Sequence, residues 1–231
     1  MYILEGNIGS GKSTLLELIQ QQKCAISVVS EPVGSWTRET YGASFLAKFY
    51  ENPTRWAYTM ETFAMAARAK DHRREQQNPY PHRILERSIY SGHYCFAQNG
   101  RQLGYFTDLE WELYQAWANF FLKKSCQPPH GFIYLRVSPE VCFKRMEQRS
   151  RKSESSLSFD YMKHIHDWHE KFLIKKEGIA HEIAAIPTLI LDGDEDFVEN
   201  PQIFAQHLEK IISFMDTTFQ RKTFDFSPVF I

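Results

Sequence analysis

The chain has little cysteine, no excess of either charge and no long apolar run. Its four cysteines, Cys24, Cys95, Cys126 and Cys142, have neither metal-ligand nor redox spacing. That argues against a disulfide scaffold or a zinc module and leads us to expect a reduced, intracellular protein. Lys and Arg number 27 against 28 Asp and Glu, a formal net charge of −1. Bulk charge therefore gives no reason to expect a nucleic-acid partner. No stretch approaches the roughly 18 apolar residues of a membrane span, so no membrane partner is expected. A strand is read from residue 2 with no signal or transit peptide ahead of it, and a cytoplasmic location is expected. Repeats and low-complexity tracts are absent.

What is present is an ordinary globular mix, 231 residues with 43% apolar and 24% charged. That suits a single domain over residues 1–231 with a sizeable core and room for a flap. Aromatics reach 15%, which fits a Phe-rich core or a flat aromatic ligand, and composition does not choose. Apolar runs near residues 2–4, 26–29, 83–86, 132–137 and 188–191 read as five strands. Helical periodicity covers 13–22, 43–75 with a break at Asn52-Pro53, 109–124, 159–176 and 201–214. Thr107 or Asp108 caps the third of these, and a further helix starts at Ser138-Pro139. Residues 148–158 are polar and poor in apolar side chains and read as a mobile loop. Unbroken apolar strands alternating with helices imply an α/β fold, a parallel five-stranded sheet covered on both faces.

Gly6-Asn7-Ile8-Gly9-Ser10-Gly11-Lys12-Ser13 fits G-x-x-x-x-G-K-[ST] between a strand and a helix. Glycines let backbone N–H groups curl around phosphate oxygens, and the helix N-terminus adds partial positive charge. Lys12 supplies a full charge to the β- and γ-phosphates, and the Ser13 hydroxyl can reach Mg²⁺. GTPases, ATPases and kinases all use such a loop, so other residues must discriminate.

Ligands of doubly wound sheets sit off the carboxyl ends of the strands. Glu31 and Glu86 both fall on that edge, and Arg87-Ser88 follows Glu86. One carboxylate can orient Mg²⁺ and the other can accept a proton from an attacking hydroxyl. Arg87 can hold the reacting oxygen or the phosphoryl group. Lys144, Arg145, Arg149 and Arg151 cluster where a helix meets the polar loop. They read either as a lid closing on the transferred phosphoryl group or as a solvated basic helix end. His164, His166 and His169 read as surface or dimer packing rather than a metal site. Trp36, Phe45, Phe49, Tyr50 and Phe96 flank the proposed site, where one or two could sandwich a base.

Together with the phosphate loop, these residues resemble the deoxyribonucleoside kinases, above all the deoxycytidine and deoxyguanosine kinases. The match runs through Glu31-Pro32-Val33, Tyr50-Glu51-Asn52-Pro53 with Arg55-Trp56, and Glu86-Arg87-Ser88 with Tyr90-Ser91. It continues through Thr107-Asp108-Leu109-Glu110-Trp111, Tyr134-Leu135, Pro139-Glu140 and Arg149-Ser150-Arg151. Tyr161, His166, His169-Glu170, and Asp192 with Glu195-Asp196-Phe197 complete it. Only residues 20–25, 71–81 and those after 214 fall outside. The resemblance implies a P-loop NTPase-type fold with a small lid at about 148–158. It implies an ATP- and Mg²⁺-dependent kinase that phosphorylates the 5′-hydroxyl of a deoxyribonucleoside in salvage, working as a homodimer. Glu31 would be the base, Glu86 with Ser13 would orient Mg²⁺, and Arg87 would contact the 5′-oxygen. Tyr50 and Glu154 would hold the 3′-hydroxyl, and Arg145, Arg149 and Arg151 would close on the ATP phosphates. Thr14, Asp192, Asp196 and Phe197 would complete the nucleotide site. Val33, Trp36, Phe49, Met60 and Phe96 would line the nucleoside pocket. A nucleoside monophosphate kinase, such as a thymidylate kinase, would need extra arginines in place of a base at Glu31. A non-catalytic relative would have lost Lys12, Glu31 or the lid arginines.

Two positions depart from the family. Glu61 stands where Gln is usual, and Gly92 where Asp often partners the arginine matching Arg68. Gln suits neutral cytosine, whereas an ionised Glu offers acceptors only. Guanine presents two adjacent donors to such a carboxylate and an O6 acceptor to Arg68, which lacks a partner at Gly92. A preference for deoxyguanosine is the resulting expectation. A Glu61–Arg68 bridge, or a protonated Glu61 acting like Gln, would defeat it.

Overall fold

The computed structural model describes residues 1–22, 24–31, 39–40, 43–80 and 82–225. Val33 and Trp36, expected in the nucleoside pocket, lie outside the described residues.

Five parallel strands form the central sheet in the order β2-β5-β1-β6-β7. They are β1 (Tyr2–Glu5), β2 (Ser27–Val29), β5 (Arg83–Glu86), β6 (Gly131–Arg136) and β7 (Thr188–Asp192). Two short strands, β3 (Glu39–Thr40) and β4 (Ala43–Ser44), pair as an antiparallel hairpin outside that sheet. β1 lies at the centre, with every residue buried, and pairs Leu4 with Glu86 on one side and with Ile133 on the other. This register brings Glu5, the phosphate loop and Glu86 to one end of the sheet. Two apolar clusters, one on each face, hold the sheet between helices. One centres on Phe132, Tyr90 and Phe172 and the other on Leu15, Leu135 and Met162.

Helix α1 (Lys12–Gln21) leaves the phosphate loop. The periodic stretch before β5 divides where expected, into α2 (Phe45–Glu51) and α3 (Pro53–Gln76). Asn52 caps the second, its side chain accepting from the Arg55 N–H, and Pro53 takes the first turn, where a missing donor costs nothing. A helical segment not anticipated from periodicity follows, made of α4 (Ile89–Ser91), a π-helical turn at Gly92–Ala97 and α5 (Gln98–Gln102). α6 (Asp108–Phe120) starts with a reciprocal capping box between Thr107 and Glu110. α7 (Pro139–Arg149), α8 (Phe159–His169) and a long terminal helix (Pro201–Asp225) complete the layers. The terminal helix runs past the expected end at residue 214.

Residues 148–158, polar and poor in apolar side chains, are nevertheless packed. α7 continues through Arg149, Ser150 ends it with φ 51°, and a 3₁₀ turn spans Lys152–Glu154. Ser153, Glu154 and Leu157 are buried. The polar residues pack because they pair with one another. Glu154 accepts from Arg149 at 2.6 Å and from Arg151 at 2.9 Å, while Leu157 joins the core.

Candidate active site

Three glycines of the phosphate loop, Gly6, Gly9 and Gly11, have positive φ. At Gly9 (φ +75°) a Cβ would lie 2.3 Å from the Cys142 carbonyl oxygen, so backbone conformation and space both demand glycine. Asn7 braces the loop, its amide donating to the Met162 carbonyl at 2.9 Å and its oxygen accepting from the Ile8 N–H at 2.8 Å. Lys12 is buried and donates to the carbonyls of Gly6 (3.1 Å) and Asn7 (2.6 Å) and to the Ser10 hydroxyl (3.2 Å). Burial first, then the Arg87 charge, hold its amine down at about 7.

The loop opens into a cavity of about 330 Å³. Glu31, Glu86, Arg87, Arg149, Arg151 and Glu154 line it beside Ile8, Gly9, Gly11, Lys12, Ser13 and Thr14. Phe49, Tyr50, Met60, Glu61, Arg68 and Phe96 line the remainder. Side chains from widely separated parts of the chain thus meet in one space. Glu86, at the end of β5, accepts from the Ser13 hydroxyl at 2.8 Å and from the Glu31 N–H at 3.3 Å. It therefore ties the start of α1 to the second residue after β2.

Arg87 adopts the left-handed region with φ 62°, a conformation that costs a non-glycine residue about 1 kcal/mol or more. Its N–H donates to the Leu4 carbonyl at 2.9 Å, which fixes the turn. Its side chain approaches Glu31 Oε2 at 3.3 Å and lies 4.7 Å over the Phe96 ring. Behind it, the Ser88 hydroxyl donates to the fully buried Glu5 and accepts from the N–H groups of Tyr90 and Ser91. Burial raises the Glu5 carboxyl pKa. Glu5 was missed in the sequence because it reads as the last residue of a buried strand.

The pocket end differs from expectation. Arg68 is not left to the base. Its Nε and Nη2 donate to Glu31 Oε1 at 2.9 and 2.7 Å. The reason is local: Gly92 offers no carboxylate and Glu31 is within reach. Glu61 is buried in the same cavity, and its carboxyl is pushed up to about 7, chiefly by burial against the pull of Arg68. Both protonation states are therefore populated near neutrality. Tyr50 rests against Phe49 and edges Tyr161, which also lines the cavity and which the sequence marks only through the family pattern.

Other expected residues lie apart from the cavity. Arg145 donates to the carbonyl of Gly193 at 2.8 Å and is not among the lining residues. Asp192 accepts from the Asp194 N–H, and Asp196 accepts from the N–H groups of Val198 and Glu199. Phe197 is buried with its ring 3.1 Å from where a Gly11 Cβ would stand, so it backs the phosphate loop. His169 is wholly buried, not superficial. It donates from Nδ1 to the Ile165 carbonyl and stacks on Tyr134, so it belongs to the core. No group of three or more potential metal-ligating side chains occurs among the described residues.

A phosphate loop at the carboxyl edge of a parallel sheet, with two carboxylates and an arginine at its mouth, defines a P-loop NTPase-type α/β protein. The model of the deoxynucleoside kinase family matches residues 2–216, and the chain belongs to that family. Among its relatives, deoxycytidine kinase 2 of Gallus gallus is 34% identical over 92% of this chain and 89% of its own length. Mitochondrial deoxyguanosine kinase of Xenopus laevis is 35% identical over 85% of this chain and 82% of its own. Mitochondrial thymidine kinase 2 of Homo sapiens is 31% identical over 91% and 77%. The chain is accordingly a nucleoside kinase, a phosphotransferase with an alcohol group as acceptor. No helix among the described residues is long and apolar enough to cross a membrane.

Proposed function

We propose that the chain transfers the γ-phosphoryl group of ATP to the 5′-hydroxyl of a deoxyribonucleoside. The observation that carries this is the convergence of Glu31, Glu86 and Arg87 on the phosphate loop within one cavity. As the 5′-oxygen attacks γ-phosphorus, its proton passes to Glu31. The bond from γ-phosphorus to the bridging oxygen breaks, and ADP leaves with the electron pair. Lys12, Arg149 and Arg151 line the same cavity and would spread the developing charge. Ser13 and Glu86 supply adjacent hard oxygen donors 2.8 Å apart, which suits Mg²⁺ completed by phosphate oxygens and water. The ion would neutralise phosphate charge. Tyr50 and Glu154 face the same cavity and would hold the sugar.

Deoxyguanosine is the proposed preferred substrate. Ionised Glu61 matches guanine's two donors, whereas the protonated form matches cytosine. The preference should therefore grow as pH rises through about 7. Measuring kcat/KM for the four deoxynucleosides at pH 6 and pH 8 tests both points. If deoxycytidine is preferred at both values, Glu61 does not choose the base.

A homodimer is also proposed. Leu109, Leu113, Trp117 and Phe120 form an exposed stripe along one face of α6, and a second copy would cover it. Trp117→Glu should turn a dimer into a monomer in light scattering; a monomeric native protein contradicts the proposal. The four cysteines form no disulfide. That fits a reducing compartment, and a cytoplasmic location is part of the proposal.

A further inference from the structure

Glu31 sits between two guanidinium groups. Its Oε1 accepts from Arg68 Nε and Nη2, and its Oε2 faces Arg87 Nε at 3.3 Å. The Glu31 and Arg68 side chains are 6% and 8% exposed, so little water competes for the pair. A carboxylate oxygen offers two lone-pair sites, and the two Arg68 bonds fill both on Oε1. A hydroxyl arriving to be deprotonated finds only Oε2, already shared with Arg87.

Arg68 also lines the cavity alongside Glu61, Met60 and Phe96, where the base would be read on the proposed function. One guanidinium thus spans from the base-reading end to the candidate general base. Gly92 faces it from the π-helical turn, and a Cβ there would lie 2.9 Å from Arg68 Nη1. Because Gly92 has no side chain, Glu31 is the carboxylate that Arg68 takes.

We propose that Arg68 is a positioning residue that links base recognition to phosphoryl transfer. A nucleobase edge carrying an acceptor draws Arg68 off Glu31 Oε1 and opens that oxygen to the 5′-hydroxyl proton. Arg68 exchanges one set of acceptors for another and makes or breaks no covalent bond. A base without the acceptor leaves the pair closed, so it binds but turns over slowly. Selectivity then appears in kcat as well as in KM. The proposal rests on the reading of Glu31 as the base and adds to it how the correct substrate switches that base on.

The test uses the full chain with ATP and Mg²⁺ and two substrate pairs. Deoxyguanosine is compared with 6-thio-2′-deoxyguanosine, which keeps N1–H and the 2-amino group and carries a weakly accepting sulfur in place of O6. Deoxycytidine is compared with 3-deaza-2′-deoxycytidine, which lacks the N3 acceptor. In the native protein, deleting or weakening the acceptor should lower kcat of the preferred pair by about 10-fold or more, part of what a positioned base contributes. In Arg68→Met that kcat gap should close, while KM rises. Gly92→Asp gives Arg68 another carboxylate and should close the gap as well. Gly92 has helical φ −52°, and among the described residues beyond its own helix backbone the movable end of Arg68 is the group within 4 Å of a Cβ there, so this variant suits the fold. Acceptor loss that acts on KM alone, or a kcat gap that survives both variants, overturns the proposal by itself. No turnover of any deoxynucleoside overturns the kinase reading and this proposal with it.

Discussion

The phosphate end and the base end of the cavity are built on different principles. At the phosphate end, eight consecutive residues supply the loop, with backbone groups and one buried lysine. Towards the base end, Glu61 and Arg68 come from different turns of one long helix and reach Glu31 and Arg87 from other elements, so that full charges face one another. Backbone geometry is set by chain connectivity and tolerates few substitutions. A ring of long charged side chains can re-pair when one member changes. The first end thus fixes what all members of such a class share, and the second is where substrate choice can vary. The relatives named above for cytosine, guanine and thymine nucleosides are similarly distant, at 31–35% identity, which fits that division.

The sharpest way to separate the two ends is to damage each in turn. Glu31→Gln should lower kcat by about 10²–10⁴ with little change in either KM, because it removes a proton acceptor and leaves the binding surfaces. Steady-state kinetics with ATP and the nucleoside varied separately would check this, and near-full kcat would refute the role of Glu31. Lys12→Ala should cost about 10²-fold or more in kcat/KM for ATP, since it removes a charge aimed at developing phosphate charge. An effect confined to the nucleoside KM would contradict the comparison.

Glu61→Gln probes the base end more gently. Its carboxyl has a folded pKa near 7, raised from 4.5. Above pH 7 the folded state carries a penalised charge; below about 4.5 the group is protonated whether folded or unfolded. The variant should therefore be more stable than the native protein at pH 8, by up to roughly 3 kcal/mol. That advantage should shrink as pH falls from 7 to 4.5 and vanish below. Denaturant unfolding at several pH values reads it, and a pH-independent difference would show that Glu61 keeps its ordinary pKa. The same substitution should move kcat/KM from deoxyguanosine toward deoxycytidine. Thr107→Ala, remote from both ends, should cost about 1 kcal/mol through loss of the α6 cap and leave kinetics unchanged.

Much of the phosphate end could be read from the chain because its parts are contiguous. Strand, glycine spacing, Lys12 and Ser13 need no tertiary information, and the five apolar runs mapped onto the five parallel strands. The helical stretch Ile89–Gln102 was not legible for a physical reason. Ile89, Tyr90, Ser91, Tyr94, Cys95 and Ala97 are buried around much of its circumference, and the π turn disturbs the 3.6-residue period. Residues 148–158 looked unpacked because polarity was read residue by residue, whereas Glu154 and its two arginines neutralise one another. The Arg68–Glu31 pair joins residues 37 apart and depends on a side chain that Gly92 lacks. No spacing rule reports such a choice of partner. Glu5 escaped notice because burial at a strand end and service beneath Ser88 look alike in a sequence.

The most direct test is the product itself. The protein is incubated with ATP, Mg²⁺ and each of the four deoxynucleosides in turn, and the monophosphates are separated and counted. The account predicts 5′-monophosphate, with deoxyguanosine giving the highest kcat/KM at pH 8. Absence of monophosphate from all four, alongside turnover of a deoxynucleoside monophosphate, would contradict it.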